Sequence, residues 1–361
     1  MGTPDRHVVV AGWSGTDNLG DELLLRVLLN NIRSRGWTAT VVSRRPDLTS
    51  ASHHTDAIAL GNVKDLWRAL GSADGLVLGP GTIIQDQTGP TSLPWHLARI
   101  PEARIRRVPV VGVGLGVGPL NRIGSRRITG IALRRCRAVA VRDQTSANLL
   151  ERCGVRENVL VGSDLALAAD LPTDRGPHDH IAVCLRPHAE RGHVLPLRHL
   201  PADTMDPARI AAVARGLDEL STQRDLPIRF VAMDASRDLP FSEAVAANMQ
   251  SSTEIRIPTL DDVIEEISSA RLVVAMRYHA GICALLGGRP MVLIGYADKV
   301  TNLAQQVGSG AALVPDTVAG YAGLAAAAER VVNTEMSVVD ARRRLRPLAE
   351  VHFEALDRLV D

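Results

Sequence analysis

An arginine fork, an imidazole and an ammonium fall together in one short segment of this sequence, residues 277–299. Met276-Arg277-Tyr278-His279-Ala280 has the pattern of a strand running into a small-residue helix, and Tyr296-Ala297-Asp298-Lys299 that of the next strand's exit. Cations around a group that titrates near neutrality make an anion site able to move a proton. A plainer reading is that His279 starts its helix and Lys299 is solvated. Lysine is scarce, however: of 41 basic residues only Lys64 and Lys299 are not arginine, so a lysine at this place stands out. Arg186, in Leu185-Arg186-Pro187-His188, leaves another strand and is a further candidate anion ligand.

A second group of candidates lies in glycine-rich exits of apolar strands. Residues 12–22 carry Gly12, Gly15, Asn18, Gly20, Asp21 and Glu22 ahead of a helix; the spacing is neither GxGxxG nor a P-loop. Residues 78–86 carry Gly79, Pro80, Gly81, Gln85 and Asp86, and residues 112–119 place glycine at every second position, Gly116 among them. Such glycines mark close approach of a ligand or of another backbone. Arg142–Asp143 reads as a structural pair or a cleft pair, and Gly162-Ser163-Asp164 as a turn.

The elements that must position these residues alternate strand and helix, the signature of parallel sheets. Strands are expected at 7–11, 38–43, 75–78, 108–113, 138–142 and 159–161, with helices at 21–35, 63–70, 125–135 and 146–153. The polar stretch 171–180 breaks the pattern and reads as a linker. A second series comes after it, with strands at 181–185, 228–233, 272–275 and 290–295 and helices at 207–223, 241–250, 260–269 and 279–286. Residues 321–361 read as two amphipathic helices. The expected fold is α/β, two Rossmann-like domains facing across a cleft as in B-type glycosyltransferases: residues 1–172, residues 180–335, and a C-terminal helix over 336–361. In such sheets ligands sit at the carboxyl ends of strands, where the candidates lie.

With 41 basic and 40 acidic side chains the chain has no global field to draw nucleic acid. Four dispersed cysteines without a CxxC pair argue against a zinc site and a disulfide framework. No signal segment or long apolar run is present, so a cytoplasmic protein is expected.

Seven collinear blocks resemble the polysaccharide pyruvyl transferase family: residues 12–22, 79–86, 114–119, 142–146, 163–166, 276–280 and 296–299, spanning most of the chain. The resemblance implies transfer of pyruvate from phosphoenolpyruvate to two sugar hydroxyls, giving a cyclic ketal and phosphate. His279 would be the general acid, Arg277 the catalytic clamp on carboxylate or phosphate, and Arg186, Lys299 and Tyr296 substrate ligands. Gly12, Gly15, Asn18, Asp21, Gly81, Asp86, Gly116 and Arg142 would line the acceptor side in the first domain. No metal and no cofactor is implied beyond phosphoenolpyruvate as donor. Two departures stand out: Pro80 interrupts what is usually a glycine run, and Tyr278 replaces a usual aliphatic residue. The alternatives are a nucleotide-sugar glycosyltransferase of the same shape and a non-catalytic sugar-binding protein; a dinucleotide oxidoreductase fits least. The saccharide acceptor is not legible. A lipid-linked one would bring the protein to the inner membrane face, where the arginines of 104–107 and 126–137 are either a docking surface or solvated helix faces.

Overall fold

The computed structural model describes residues 6–87, 89, 91–173, 179–187 and 205–360. The chain divides into two units: unit 1 comprises residues 1–16, 21–169 and 345–361, and unit 2 residues 17–20 and 170–344.

Unit 1 contains β1 (His7–Ala11), α1 (Leu19–Ser34, whose first residues fall to unit 2), β2 (Thr38–Ser43), α2 (Pro46–His53), β3 (Asp56–Ala59), α3 (Val63–Ser72) and β4 (Gly75–Leu78). It continues with β5 (Gly81–Ile84), α4 (Ser92–Ile105), β6 (Val110–Val117), α5 (Ile123–Leu133), β7 (Ala138–Val141), α6 (Gln144–Arg152) and β8 (Val159–Val161). The strands are parallel in the order β3-β2-β1-β4-β6-β7-β8, with β5 also on β6. Runs such as HVVVA, GLVL and AVAV form these strands because both sheet faces are covered. On one face Val9, Leu78 and Val141 bury against Leu66 of α3, Leu97 of α4 and Leu133 of α5. Each such leucine contributes about 2 kcal/mol by leaving water.

Unit 2 contains β9 (Ile181–Cys184), α7 (Pro207–Arg224), β10 (Ile228–Val231), α8 (Ala235–Ala246), β11 (Thr253–Arg256), α9 (Val263–Ser268) and β12 (Leu272–Ala275). Beyond these lie α10 (Tyr278–Gly287), β13 (Met291–Gly295), α11 (Asp298–Val307), β14 (Ala311–Pro315), α12 (Val318–Ala322), α13 (Leu324–Val331) and α14 (Glu335–Leu345). Its sheet is parallel in the order β11-β10-β9-β12-β13-β14. The chain winds outward from β9 in one direction and from β12 in the other, so the strand order reverses between these two neighbours.

Several elements differ from expectation. α2, β3, β5, α4, β11, α11 and β14 have no counterpart among the expected elements; α4 was hidden by Pro94 and Pro101, which sit within it. α8 begins at Ala235, ahead of Pro240, rather than at 241. The C-terminal region is four helices, α12 to α14 and α15 (Val351–Asp357), not two, and its last part, 345–361, returns to unit 1. There α15 packs on β6, β7 and β8. His352 fixes it from the interior, accepting from the Gly114 amide at Nδ1 (3.2 Å) and donating from Nε2 to the Ser163 carbonyl (2.7 Å). The central part of the expected linker, 174–178, lies outside the described residues, as does His188. Among the described residues no helix is long and apolar enough to cross a membrane.

Candidate functional site

In unit 2 three neighbouring strands, β9, β12 and β13, end side by side, and their exits carry the candidates from residues 186 to 299. Arg186 lies just past β9; Arg277 and His279 lie just past β12; Tyr296 is next after β13, and Lys299 stands in the first turn of α11. This is the reversal point of the sheet, where open α/β folds bind ligands.

Arg186 and Lys299 converge on one phenol. Arg186 donates from Nη1 to Tyr296 Oη (3.0 Å), with its guanidinium 5.2 Å from the ring centroid. Lys299 lies 5.9 Å from the Tyr296 ring and 5.8 Å from that of Tyr278, and it also hydrogen-bonds Tyr296. Burial alone would raise the Tyr296 phenol, but Lys299, then Arg186 and Arg277, outweigh it and hold the group below its ordinary value.

His279 opens α10 and is buried. Its ring meets that of Tyr278 edge-on at 5.2 Å. Residues 17–20, which belong with unit 2, hold its other side. Leu19 donates its amide to the Met233 carbonyl (2.9 Å), Asn18 forms an antiparallel bridge with Asp234, and the Asn18 carboxamide accepts from the Gly20 amide. A methyl group on Gly20 would overlap the His279 imidazole, so glycine here is a requirement of packing.

Arg277 is held by carboxylates of the protein itself. It is buried, and its Nε donates to both oxygens of Asp238 (3.1 and 2.9 Å) while Nη2 donates to Asp238 as well. Asp234 lies 3.5 Å from Nη2. The Asp238 carboxylate is fully buried and also accepts from the Asp234 amide (3.0 Å). Burial raises Asp238 despite Arg277, whereas for Arg277 the two aspartates overcome burial and raise the guanidinium. Two carboxylates thus share this one guanidinium. Its geometry ties α8 to the β12–α10 junction, two residues before His279.

The unit 1 candidates divide similarly. The close approaches announced by the glycines are made chiefly by the protein's own atoms. A methyl group on Gly12 would stand 2.5 Å from the Gly79 carbonyl oxygen, and one on Gly116 2.8 Å from both Arg142 and Thr82. Gly15, at φ +72°, packs against Ser43 and Arg45. Gly81 is the exception: at φ +111° its nearest obstacle is Asp21 Oδ1, at 3.8 Å. Asp86 is buried and accepts from the Asn121 (3.1 Å) and Arg122 (2.9 Å) amides. Burial would raise its carboxyl, but these amides and Ser125 outweigh it and lower the group. Its role is to hold the loop entering α5. Arg142 is buried between Asp143 (3.3 Å) and Asp164 (3.8 Å), which cap α6 and the short turn at Leu165–Ala168. Structural ties thus occupy Gly12, Gly15, Asp86, Gly116 and Arg142.

The model of the polysaccharide pyruvyl transferase family matches residues 18–298, more than three quarters of the sequence. The chain belongs to this family. No curated protein matches it significantly in sequence. Among solved structures it is similar to a putative UDP-N-acetylglucosamine 2-epimerase from Listeria monocytogenes (10% identity, TM-score 0.63, 98% of this chain and 95% of that one). It is also similar to Anabaena Alr3699/HepE, solved in complex with UDP-glucose (15%, TM-score 0.63, 98% and 99%). Acinetobacter baumannii MurG is a third such neighbour (11%, TM-score 0.56, 98% and 99%). At these identities the likeness establishes the fold: two parallel α/β domains of the B-type glycosyltransferase kind.

In this pyruvyl transferase family member the two departures have visible consequences. Pro80 packs on Gly114, 3.0 Å from where a Cβ there would stand, and Tyr278 supplies a ring between His279 and Lys299. Sequence reasoning missed Asp234, Asp238 and His352. The two aspartates, four residues apart at the start of a helix, carried a usable signal, since i and i+4 share a face. His352 carried none, because its partners are backbone groups far along the chain.

Proposed function

We propose that the protein transfers pyruvate from phosphoenolpyruvate to two hydroxyls of a sugar, giving a cyclic ketal and inorganic phosphate. The observation that carries this reading is the meeting of Arg186, Lys299, Tyr296 and His279 at the reversal point of the unit 2 sheet, in a chain of this family. A donor with a carboxylate and a phosphate needs local cations in a protein of net charge +1. Arg186 and Lys299 fill that need, and Arg277, neutralised by Asp238 and Asp234, acts by positioning His279.

His279 donates its proton to the methylene carbon of phosphoenolpyruvate, leaving positive charge at C2. A first sugar hydroxyl adds there and releases its proton. The C–O bond to phosphate then breaks, and the second hydroxyl closes the ring at C2 and releases its own proton. Neutral His279 accepts the first of these, which restores the acid; the departing phosphate carries the other. Asp21 beside the open Gly81 is the candidate to orient acceptor hydroxyls in unit 1. General acid catalysis of this kind is worth roughly 10²–10⁴-fold.

The test is incubation with phosphoenolpyruvate and a panel of sugar acceptors, read by phosphate release and by product mass. Phosphate together with a pyruvyl ketal supports the reading, and His279→Ala should abolish both. Because a solved neighbour carries UDP-glucose, nucleotide sugars form a parallel arm. Release of nucleoside diphosphate without phosphate would replace this reading with glycosyl transfer.

A further inference from the structure

α3, α4 and α5 lie on one face of the unit 1 sheet, each turning its leucines into the shared core. Their outward sides are not simply polar. Ile105 at the end of α4 is 70% exposed, and Ile123 and Ile131 on α5 are 67% and 50% exposed. Ile128 on α5 and Trp67 on α3 are each exposed by 39%. The helices that carry them adjoin: α4 packs on α5, and the Arg106 guanidinium at the end of α4 sits 5.0 Å from the Trp67 ring. An isolated exposed isoleucine needs no explanation, but a group of them on adjoining helices does.

From the end of α4 through α5 the charge has one sign. Residues 103–141 contain nine arginines and no acidic residue. Away from this stretch arginines meet carboxylates, as in Arg68–Asp65 on the adjoining α3, Arg229–Glu254 and Arg343–Asp340. Along α5, Ile123, Arg127 and Ile131 are successive i, i+4 positions and so share one stripe. A helix lying in a membrane interface has this composition, with aliphatic side chains for the acyl boundary and arginines for phosphate headgroups. Nucleic acid would use the arginines but gain nothing from exposed isoleucines.

We propose that this face of unit 1 docks on an anionic lipid surface, with Ile105, Ile123 and Ile131 seated at the acyl boundary and Arg104, Arg122 and Arg127 against headgroup phosphates. The docking is independent of the chemistry proposed for unit 2.

Co-sedimentation of the full chain with vesicles tests it, using phosphatidylcholine alone and phosphatidylcholine mixed with phosphatidylglycerol. Binding is expected only to the anionic vesicles and should weaken with salt. The triple variant Arg104→Gln/Arg122→Gln/Arg127→Gln should lower the partition coefficient about a hundredfold, at about fivefold per arginine. Ile123→Ser/Ile131→Ser should weaken binding even at low salt, whereas Arg330→Gln/Arg343→Gln in unit 2 should leave it unchanged. All three variants should keep the circular dichroism of the parent and its phosphate release with a soluble acceptor. Equal binding to neutral vesicles, no binding to either, an equal loss in the unit 2 control, or retention only by RNA or by a protein partner would each overturn the proposal.

Discussion

Removing the Asp238 carboxylate tests whether Arg277 is a structural ion or a substrate clamp. In Asp238→Ala the guanidinium stays buried but loses the acceptor of both its Nε and Nη2 bonds, keeping only Asp234 at 3.5 Å. Breaking a buried pair from one side costs about 3–5 kcal/mol, because the remaining charge is stranded. Arg277→Met in the same background removes that stranded charge and should restore a good part of the loss. Asp238→Asn keeps an acceptor of the same shape and should cost less than Asp238→Ala. Urea unfolding monitored through hydrogen exchange of β10 and β12 amides reads unit 2 directly. In the proposed reaction Asp238→Asn should lower kcat, by letting the junction before His279 relax, and leave KM for phosphoenolpyruvate within about threefold, uniform binding and turnover being separable in this way. The reasoning fails if Asp238→Ala costs under about 1 kcal/mol, far below the cost of a stranded buried charge. It also fails if Asp238→Asn tightens phosphoenolpyruvate binding, the result expected of a clamp released from a competing carboxylate.

Gly20→Ala should raise the helix propensity of α1 by about 1 kcal/mol yet lower kcat at least tenfold, since the new methyl overlaps the His279 ring; wild-type turnover would show that the ring is not seated there. Difference absorbance of the phenolate, wild type minus Tyr296→Phe, should titrate below the ordinary 10.0 because Lys299 and Arg186 flank the group; a midpoint at or above 10.0 would exclude the cationic cluster. Burial and Arg99 hold His96 down to about 4, so it is neutral in the fold and protonates more readily when unfolded. Stability is therefore full above pH 6.5 and falls as pH drops toward 4, by roughly 3 kcal/mol from this group. His352, also lowered by burial, adds in the same direction. Urea midpoints across this range should flatten in His96→Gln, and a wild-type profile without the fall would refute the assignment.

The candidates of the two units were legible to different depths for physical reasons. Strand exits could be read because fully buried parallel strands are short apolar runs, and the residues just past each run must lie at a sheet end. That logic placed Arg186, His279, Tyr296 and Lys299 in one neighbourhood without any knowledge of the strand order. It could not tell a residue facing a ligand from one facing the protein, because both demand the same residue types. Glycine at 12, 15 and 116 permits close approach, and the structure gives that approach to Gly79, Ser43 and Arg142. Arginine at 142 and 277 supplies a planar fork, and neighbouring aspartates take it in both places. The difference lies in partners such as Asp164 and Asp238, remote in sequence from the motif they complete. Lys299 and Arg186 escape this ambiguity through their contact with Tyr296. The phenol is partly buried, and Lys299, Arg186 and Arg277 around it hold it below its ordinary value. A motif's charge therefore becomes an argument for anion binding only after the field it leaves behind has been found. By that criterion the proposed donor site would be formed by Arg186, Tyr296 and Lys299, with the Arg277 of the motif as its scaffold.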